Sequence, residues 1–181
     1  VGKDLSDQEG IGMTVPSRFV HVDHSYDGSL EMLRDNLPAD LAQSLAKTRW
    51  GIINVWRPIR NLVSRDPLAL CDARSVAESD LVVMSAFLPS KGSNTFENVS
   101  AGSSFDTWSV RANPCHRWYF ESGLTPEEVL LIKIFDSKKD GRARRAPHTA
   151  FVDPATENAQ GPPRESIEVR SFVFWENDEG E

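Results

Sequence analysis

Between Leu30 and Leu45 the apolar positions recur at three- and four-residue spacing, at Leu30, Leu33, Leu37, Leu41 and Leu45, which is the period of a helix that buries one face. Pro38 falls inside the run, so the pattern predicts a helical region broken or restarted there, with the leucines as core. Beyond it the pattern changes. Trp50 to Ile59 predicts a buried strand ended by Pro58, Leu68 to Leu70 the start of another or a connecting turn, and Asp80 to Leu88 a further apolar strand. Phe105 to Tyr119 suits two short strands around Asn113-Pro114. Thr125-Pro-Glu-Glu128 carries a helix-start signature, with Thr as cap and Pro at the first position, as a short turn before a strand over Val129 to Phe135. Pro89 to Ser104 is rich in Ser, Gly and Asn and reads as loop, and Glu176 to Glu181 as a frayed acidic tail. The elements predict a mainly β chain with flanking helices.

The chemistry begins in the strand-like run Ser17 to Ser25, which holds His21 and Asp23. Alternate residues of a strand point to the same face, so these two side chains can reach one ion while Val22 turns the other way. A third ligand must then come from a strand adjacent in space and distant in sequence, and His148 in Ala146-Pro-His-Thr-Ala-Phe151 is the candidate. His-x-Asp followed far downstream by His is the order in which a facial triad is written along a jelly-roll barrel, a site that leaves three iron positions open. A surface strand with solvated polar residues would give the same dipeptide, so the pair alone is a weak signal.

Pro162 to Trp175 strengthens it. Two prolines precede a β-rich stretch with Ile167, Val169 and Val173 on one face and Arg164, Ser166, Glu168 and Arg170 on the other. Arg-x-Ser offers a guanidinium fork and a hydroxyl on the same side of a strand, suited to a terminal carboxylate. In 2-oxoglutarate oxygenases a basic residue shortly after the distal His does this work. Arg164 with Ser166 is therefore the first candidate and Arg170 the second, against an edge strand whose Arg and Glu pair in solvent.

Asn54-Val-Trp-Arg-Pro-Ile59, Asp66-Pro-Leu-Ala-Leu-Cys-Asp72, Trp118-Tyr-Phe120, Leu131 to Ser137, Pro147 to Phe151 and Pro163 to Arg170 together resemble the hydroxylase/desaturase family. That group includes fungal gibberellin desaturases and the cephamycin methoxylation protein. The resemblance spans roughly residues 17 to 175. It implies a double-stranded β-helix (jelly-roll, cupin-like) core and an iron(II)- and 2-oxoglutarate-dependent dioxygenase that uses O2 to hydroxylate or desaturate a small secondary metabolite. It also implies iron ligands His21, Asp23 and His148, and a co-substrate clamp drawn from Arg164, Ser166 and Arg170. Family members are longer ahead of the His-x-Asp strand, so the expectation is a single oxygenase-like domain over 1–181 that lacks an N-terminal part. Two other classes stay open: a cupin-type metal dioxygenase that does not use 2-oxoglutarate, and a truncated, non-catalytic or partner-binding relative.

Composition narrows the partners. The 181 residues with 39% hydrophobic content suit one core of ordinary size. A net charge of −7 argues against an extended nucleic-acid surface. No apolar run approaches the roughly 18 residues that cross a bilayer and no signal peptide opens the chain, so a cytoplasmic protein with a small-molecule substrate is expected, a homo-oligomer being compatible. Cys71 and Cys115 are too few for a disulfide scaffold and read as reduced, partly buried thiols, and the sequon at Asn98 as an accident of a polar loop. His24 is expected behind or outside the ligand set, His116 as a hydrogen-bonded structural residue, and Trp56 with Arg57 as either core or pocket. Trp56, Phe87, Trp108, Trp118 and Phe151 could line a pocket or fill a core. Lys138 to Arg145 reads as a solvated basic hairpin loop that could steer an anion toward the site.

Overall fold

The structure is a computed structural model that describes residues 16–87, 104–156 and 161–179. The loop expected over Pro89 to Ser104 lies, apart from Ser104, outside the described residues, as do the chain start and the sequon. In chain order the elements are β1 (His21–Val22), α1 (Tyr26–Asn36), α2 (Ala39–Leu45), β2 (Thr48–Pro58), β3 (Leu68–Cys71), β4 (Leu81–Phe87), β5 (Ser104–Val110), β6 (Trp118–Phe120), β7 (Leu130–Asp136), β8 (His148–Ala150) and β9 (Ser166–Glu179). They form a six-stranded sheet in the order β4-β5-β1-β8-β3-β6 and a three-stranded sheet in the order β7-β2-β9. Every pairing is antiparallel. This is the mainly β, jelly-roll architecture that the sequence predicts, with two helices beside it.

The helical region breaks where Pro38 predicts. Ser25 caps α1 by accepting a hydrogen bond from the Gly28 N–H at 3.0 Å, and α2 restarts directly after Pro38. The restart resets the helical phase, so the leucine stripe does not continue inward. Leu33 is fully buried, whereas Leu41 is 44% exposed and Ala42 takes the buried position of α2.

The main core draws on both sheets and both helices, with most of its largest fully buried side chains on the three-stranded sheet. Trp50, Ile52, Ile132 and Ile134 are fully buried, and Trp50 meets the ring of Phe135 at 4.5 Å and that of Phe172 at 6.3 Å. Burying each such side chain contributes about 1.5–3 kcal/mol. Gly51 fits between Trp50 and Ile52 because a Cβ there would meet the Phe135 carbonyl oxygen at 2.7 Å.

Thr125 to Glu128 forms the short turn that the sequence predicts: the Thr125 N–H and hydroxyl both reach the Glu128 carboxylate at 2.9 Å, and β7 starts too soon for a helix to propagate. Two expectations are corrected. The acidic tail is not frayed over its first residues, because β9 runs to Glu179 and Asp178 pairs with Lys138 at 2.6 Å and Arg49 at 3.5 Å. The basic run is not a free solvated loop. Arg145 is 5% exposed and pairs with Glu78 at 3.1 Å, Arg144 lies 4.0 Å over the Tyr26 ring, and Arg142 pairs with Asp140. Its arginines brace the fold. Cys71 is buried and Cys115 exposed, both free, and Phe87 is 81% exposed among the described residues.

Candidate metal centre

β1 and β8 are neighbours, and His21 stands directly opposite His148 in their antiparallel register. Residues directly opposite share a face of the sheet, which brings the two imidazoles to a centroid distance of 4.5 Å. Val22 turns to the other side, opposite Trp108, and is fully buried there. β1 pairs over only two residues, so Asp23 sits at a bend just past the strand and before α1. The ligand atoms of His21, Asp23 and His148 all lie within 4.8 Å of one another.

Both imidazoles are held in one tautomer. His21 Nδ1 lies 2.7 Å from the carbonyl oxygen of Phe19 and His148 Nδ1 3.0 Å from that of Ala146, each two residues upstream. Donation from Nδ1–H leaves the Nε2 lone pairs free, and each Nε2 lies 3.4 Å from Asp23 Oδ1. That separation exceeds the roughly 2.7–3.2 Å of a good N–H···O bond, and a cation could bridge it.

The electrostatics favour positive charge at this point. Burial alone would raise the Asp23 carboxyl, but the adjacent imidazoles of His148 and His21 and the charge of Arg170 hold it well below its usual range. Burial pushes His148 down, and Asp23 more than reverses this, so its pKa stands above the ordinary value. Beside them His24, 1% exposed, is lowered to about 4 by burial and by the charge of Arg170, and stays neutral.

Asp23 Oδ2 faces away from the imidazoles into a second group of side chains. Arg170 Nη2 donates to it at 2.7 Å and Asn54 Nδ2 at 2.6 Å. Arg170 Nε donates to Asn54 Oδ1 at 3.3 Å, and its Nη1 donates to His24 Nε2 at 3.0 Å. Asn54 Nδ2 also donates to Glu168, whose carboxyl is raised by burial and by the charge of Asp23. Asn54 carried no role in the sequence reading, although a signal was present. Trp50, Ile52, Asn54 and Trp56 occupy the inward positions of one strand, and Asn54 is the polar member of that series.

Arg164 and Ser166 stand apart from this group, at the start of β9. The Arg164 guanidinium lies 5.2 Å over the Trp56 ring and donates to the Asp66 carbonyl oxygen at 2.5 Å. Asp66 has a φ of 50°, and its carboxylate is engaged by Arg18 at 2.7 Å rather than by Arg164. Arg164 Nε is buried without a hydrogen-bond partner, and burial lowers the pKa of the group. Ser166 makes no side-chain hydrogen bond among the described residues. Of the two candidate clamps, Arg170 is committed to Asp23, Asn54 and His24, and Arg164 has donors to spare. His116 is structural, 3.0 Å from Asp80.

A family model described as "Oxidoreductase/YMDC permease-like domain" matches residues 5–174. The chain is 49% identical over 166 residues to the hydroxylase/desaturase efuI of Hormonema carpetanum, covering 92% of this chain and 54% of that protein. It is 40% identical over 183 residues to the hydroxylase/desaturase asaB of Aspergillus flavus, covering 97% of this chain and 79% of that protein. A solved structure, the iron and alpha-ketoglutarate-dependent endoperoxidase NvfI, is similar with a TM-score of 0.77 and 29% identity, over 93% of this chain and 57% of that chain. The chain spans about half the length of efuI (54%) and of a hydroxylase/desaturase from Cercospora beticola (49%). Among the described residues no helix is long and apolar enough to cross a membrane.

Proposed function

The chain belongs to the hydroxylase/desaturase family of iron(II)- and 2-oxoglutarate-dependent oxygenases, and to the oxidoreductase family whose model matches it, and from that membership we propose that it hydroxylates or desaturates a small secondary metabolite. The observation that carries the reading is the convergence of His21 and His148 Nε2 on Asp23 Oδ1, at 3.4 Å each, with both Nδ1 positions tied to backbone. Two neutral imidazoles and one carboxylate are the donor set suited to iron(II). His21, Asp23 and His148 would hold the ion.

The co-substrate also has a fitting place. Arg164 Nε is an orphaned buried donor, and the Ser166 hydroxyl, two residues on, has no partner among the described residues. Together they would take the distal carboxylate of 2-oxoglutarate by charge-assisted hydrogen bonds. Trp56 beneath the guanidinium and the Asp66 carbonyl fix its orientation in advance. Iron bound at the triad would couple oxidative decarboxylation of 2-oxoglutarate, which gives succinate and carbon dioxide, to removal of hydrogen from an unactivated substrate carbon. The protein's own part is to orient and shield: Asp23 and the imidazoles stay anchored, and Arg164 and Ser166 set the depth at which the co-substrate sits. A single domain over 1–181, in the cytoplasm and free of nucleic-acid and membrane partners, completes the reading.

Succinate formation tests it. Purified chain with iron(II), ascorbate, O2 and 2-oxoglutarate should release succinate, faster with a metabolite substrate and much slower in Asp23→Ala. Oxygen consumption without succinate would move the chain to a metal dioxygenase that does not use 2-oxoglutarate. A folded, metal-loaded chain inactive with every metabolite would favour the non-catalytic relative.

A further inference from the structure

We propose that Arg170, Asn54 and His24 form a buried carrier that reserves one oxygen of Asp23, Oδ2, and leaves Oδ1 as the oxygen offered to the metal. The inference rests on the reading of His21, Asp23 and His148 as a metal centre and assigns roles to three residues outside it.

Two donors saturate Oδ2. Arg170 Nη2 at 2.7 Å and Asn54 Nδ2 at 2.6 Å fill the two lone-pair directions of a carboxylate oxygen. Neither donor is free to drift. Asn54 is fully buried, and its carbonyl oxygen accepts from Arg170 Nε at 3.3 Å while its second amide hydrogen goes to Glu168. Flipping the amide would set its oxygen against two carboxylates and its NH2 against a guanidinium, so the network fixes its orientation. Arg170 is held at its other end, where Nη1 donates to Nε2 of a His24 that is 1% exposed.

The consequence concerns coordination. For Asp23 to chelate an ion through both oxygens it would have to break two hydrogen bonds, one of them to a half-buried guanidinium. Held by the carrier, Asp23 gives one bond, and the positions needed by co-substrate and oxygen stay open. Arg170, Asn54 and His24 are thus positioning residues, and Arg170 is not the co-substrate clamp. Two arginines six residues apart, Arg164 just before β9 and Arg170 within it, then have separate duties: Arg164 faces the co-substrate and Arg170 faces the back of the metal ligand.

The test is a titration of the whole chain with cobalt(II), whose visible d–d absorption reports both affinity and coordination geometry. It compares the parent with Arg170→Gln, Arg170→Lys, Asn54→Ala and, as a control, Arg57→Gln, an exposed residue of β2. Far-UV and near-UV circular dichroism of each metal-free protein establishes folding. We expect Arg170→Gln and Asn54→Ala to bind cobalt(II) about 10–100-fold more weakly, with an altered d–d spectrum at saturation. Arg170→Lys should recover part of the affinity and Arg57→Gln all of it. Unchanged affinity and spectrum in folded Arg170→Gln and Asn54→Ala would overturn the inference. So would an Arg170→Gln protein that binds cobalt(II) normally and loses 2-oxoglutarate, because Arg170 would then be the clamp. A parent that binds no cobalt(II) would remove the metal centre itself, a different failure seen before any variant is compared.

Discussion

Along the β2–β9 ladder two halves of the same strand pair obey opposite rules. Toward one end Trp50 and Ile52 stand opposite Phe174 and Phe172 and bury hydrocarbon against hydrocarbon. Toward the other, Asn54, Trp56 and Pro58 stand opposite Arg170, Glu168 and Ser166, and the inward side carries a guanidinium, a carboxyl and an amide. There the apolar residues of β9 face out, with Ile167 49% and Val169 53% exposed. The apolar half follows from the hydrophobic effect and makes the domain. The polar half costs stability and persists where each charge has a partner, as Arg170 does in Asp23 and Asn54. A strand whose inward face turns polar partway along marks a site more reliably than any one of its residues.

Substitutions separate the halves. Trp50→Ala should have the largest effect on stability, about 3–5 kcal/mol, seen as a large drop in the denaturation midpoint, because a fully buried indole is lost. If it costs less than about 1 kcal/mol, that end is not the core. Arg164→Lys should keep the fold and weaken 2-oxoglutarate binding about tenfold or more in calorimetric titration, since an ammonium keeps the charge and loses the fork. Unchanged affinity would detach Arg164 from the co-substrate.

Acid should also act on the apolar half's own rim. Burial alone would raise the Asp136 carboxyl, but hydrogen bonds from Arg49, Lys133 and the Lys138 N–H bring it from 3.8 down to about 2. A depressed carboxylate contributes stability that is fully present above 3.8 and lost as pH falls through about 2, here on the order of 2 kcal/mol. Denaturant melts of the parent and Asp136→Asn between pH 5 and 2 should converge as the pH falls. Parallel curves would show that Asp136 does not titrate in this window. The smallest effect belongs to the outward side of the polar half: Ile167→Thr and Val169→Thr should each stay within about 0.5 kcal/mol of the parent. A larger loss would mean that this face is covered.

The meeting of His21, Asp23 and His148 was legible in the sequence because strand periodicity and antiparallel register are local rules. His21 and Asp23 alternate around Val22, and His148 has to arrive from a neighbouring strand, which β8 is. The jelly-roll fold came from the family resemblance, and the alternation alone gave a mainly β chain. What escaped depended on contacts between distant segments. Asn54 sits in an apolar run, and its role appears once Arg170, over a hundred residues later, is placed against it. The choice between Arg164 and Arg170 was open for the same reason: strand period puts them on one face, and only the partners in space separate their duties. Arg144 and Arg145 looked solvated because charge runs usually are, whereas here Tyr26 and Glu78 draw them in. Thr125 to Glu128 carries the chemistry of a helix cap, and the cap closes on itself because β7 follows immediately.

The central claim is that the polar half of the ladder supports a metal and co-substrate centre. Its most direct test is an anaerobic titration of the chain with iron(II) and then 2-oxoglutarate, followed by visible absorption, beside His21→Ala and Arg164→Ala. The expected result is a new visible band that needs both additions, vanishes in His21→Ala and requires more 2-oxoglutarate in Arg164→Ala. A folded parent that binds iron(II) and shows no band at saturating 2-oxoglutarate would contradict the claim.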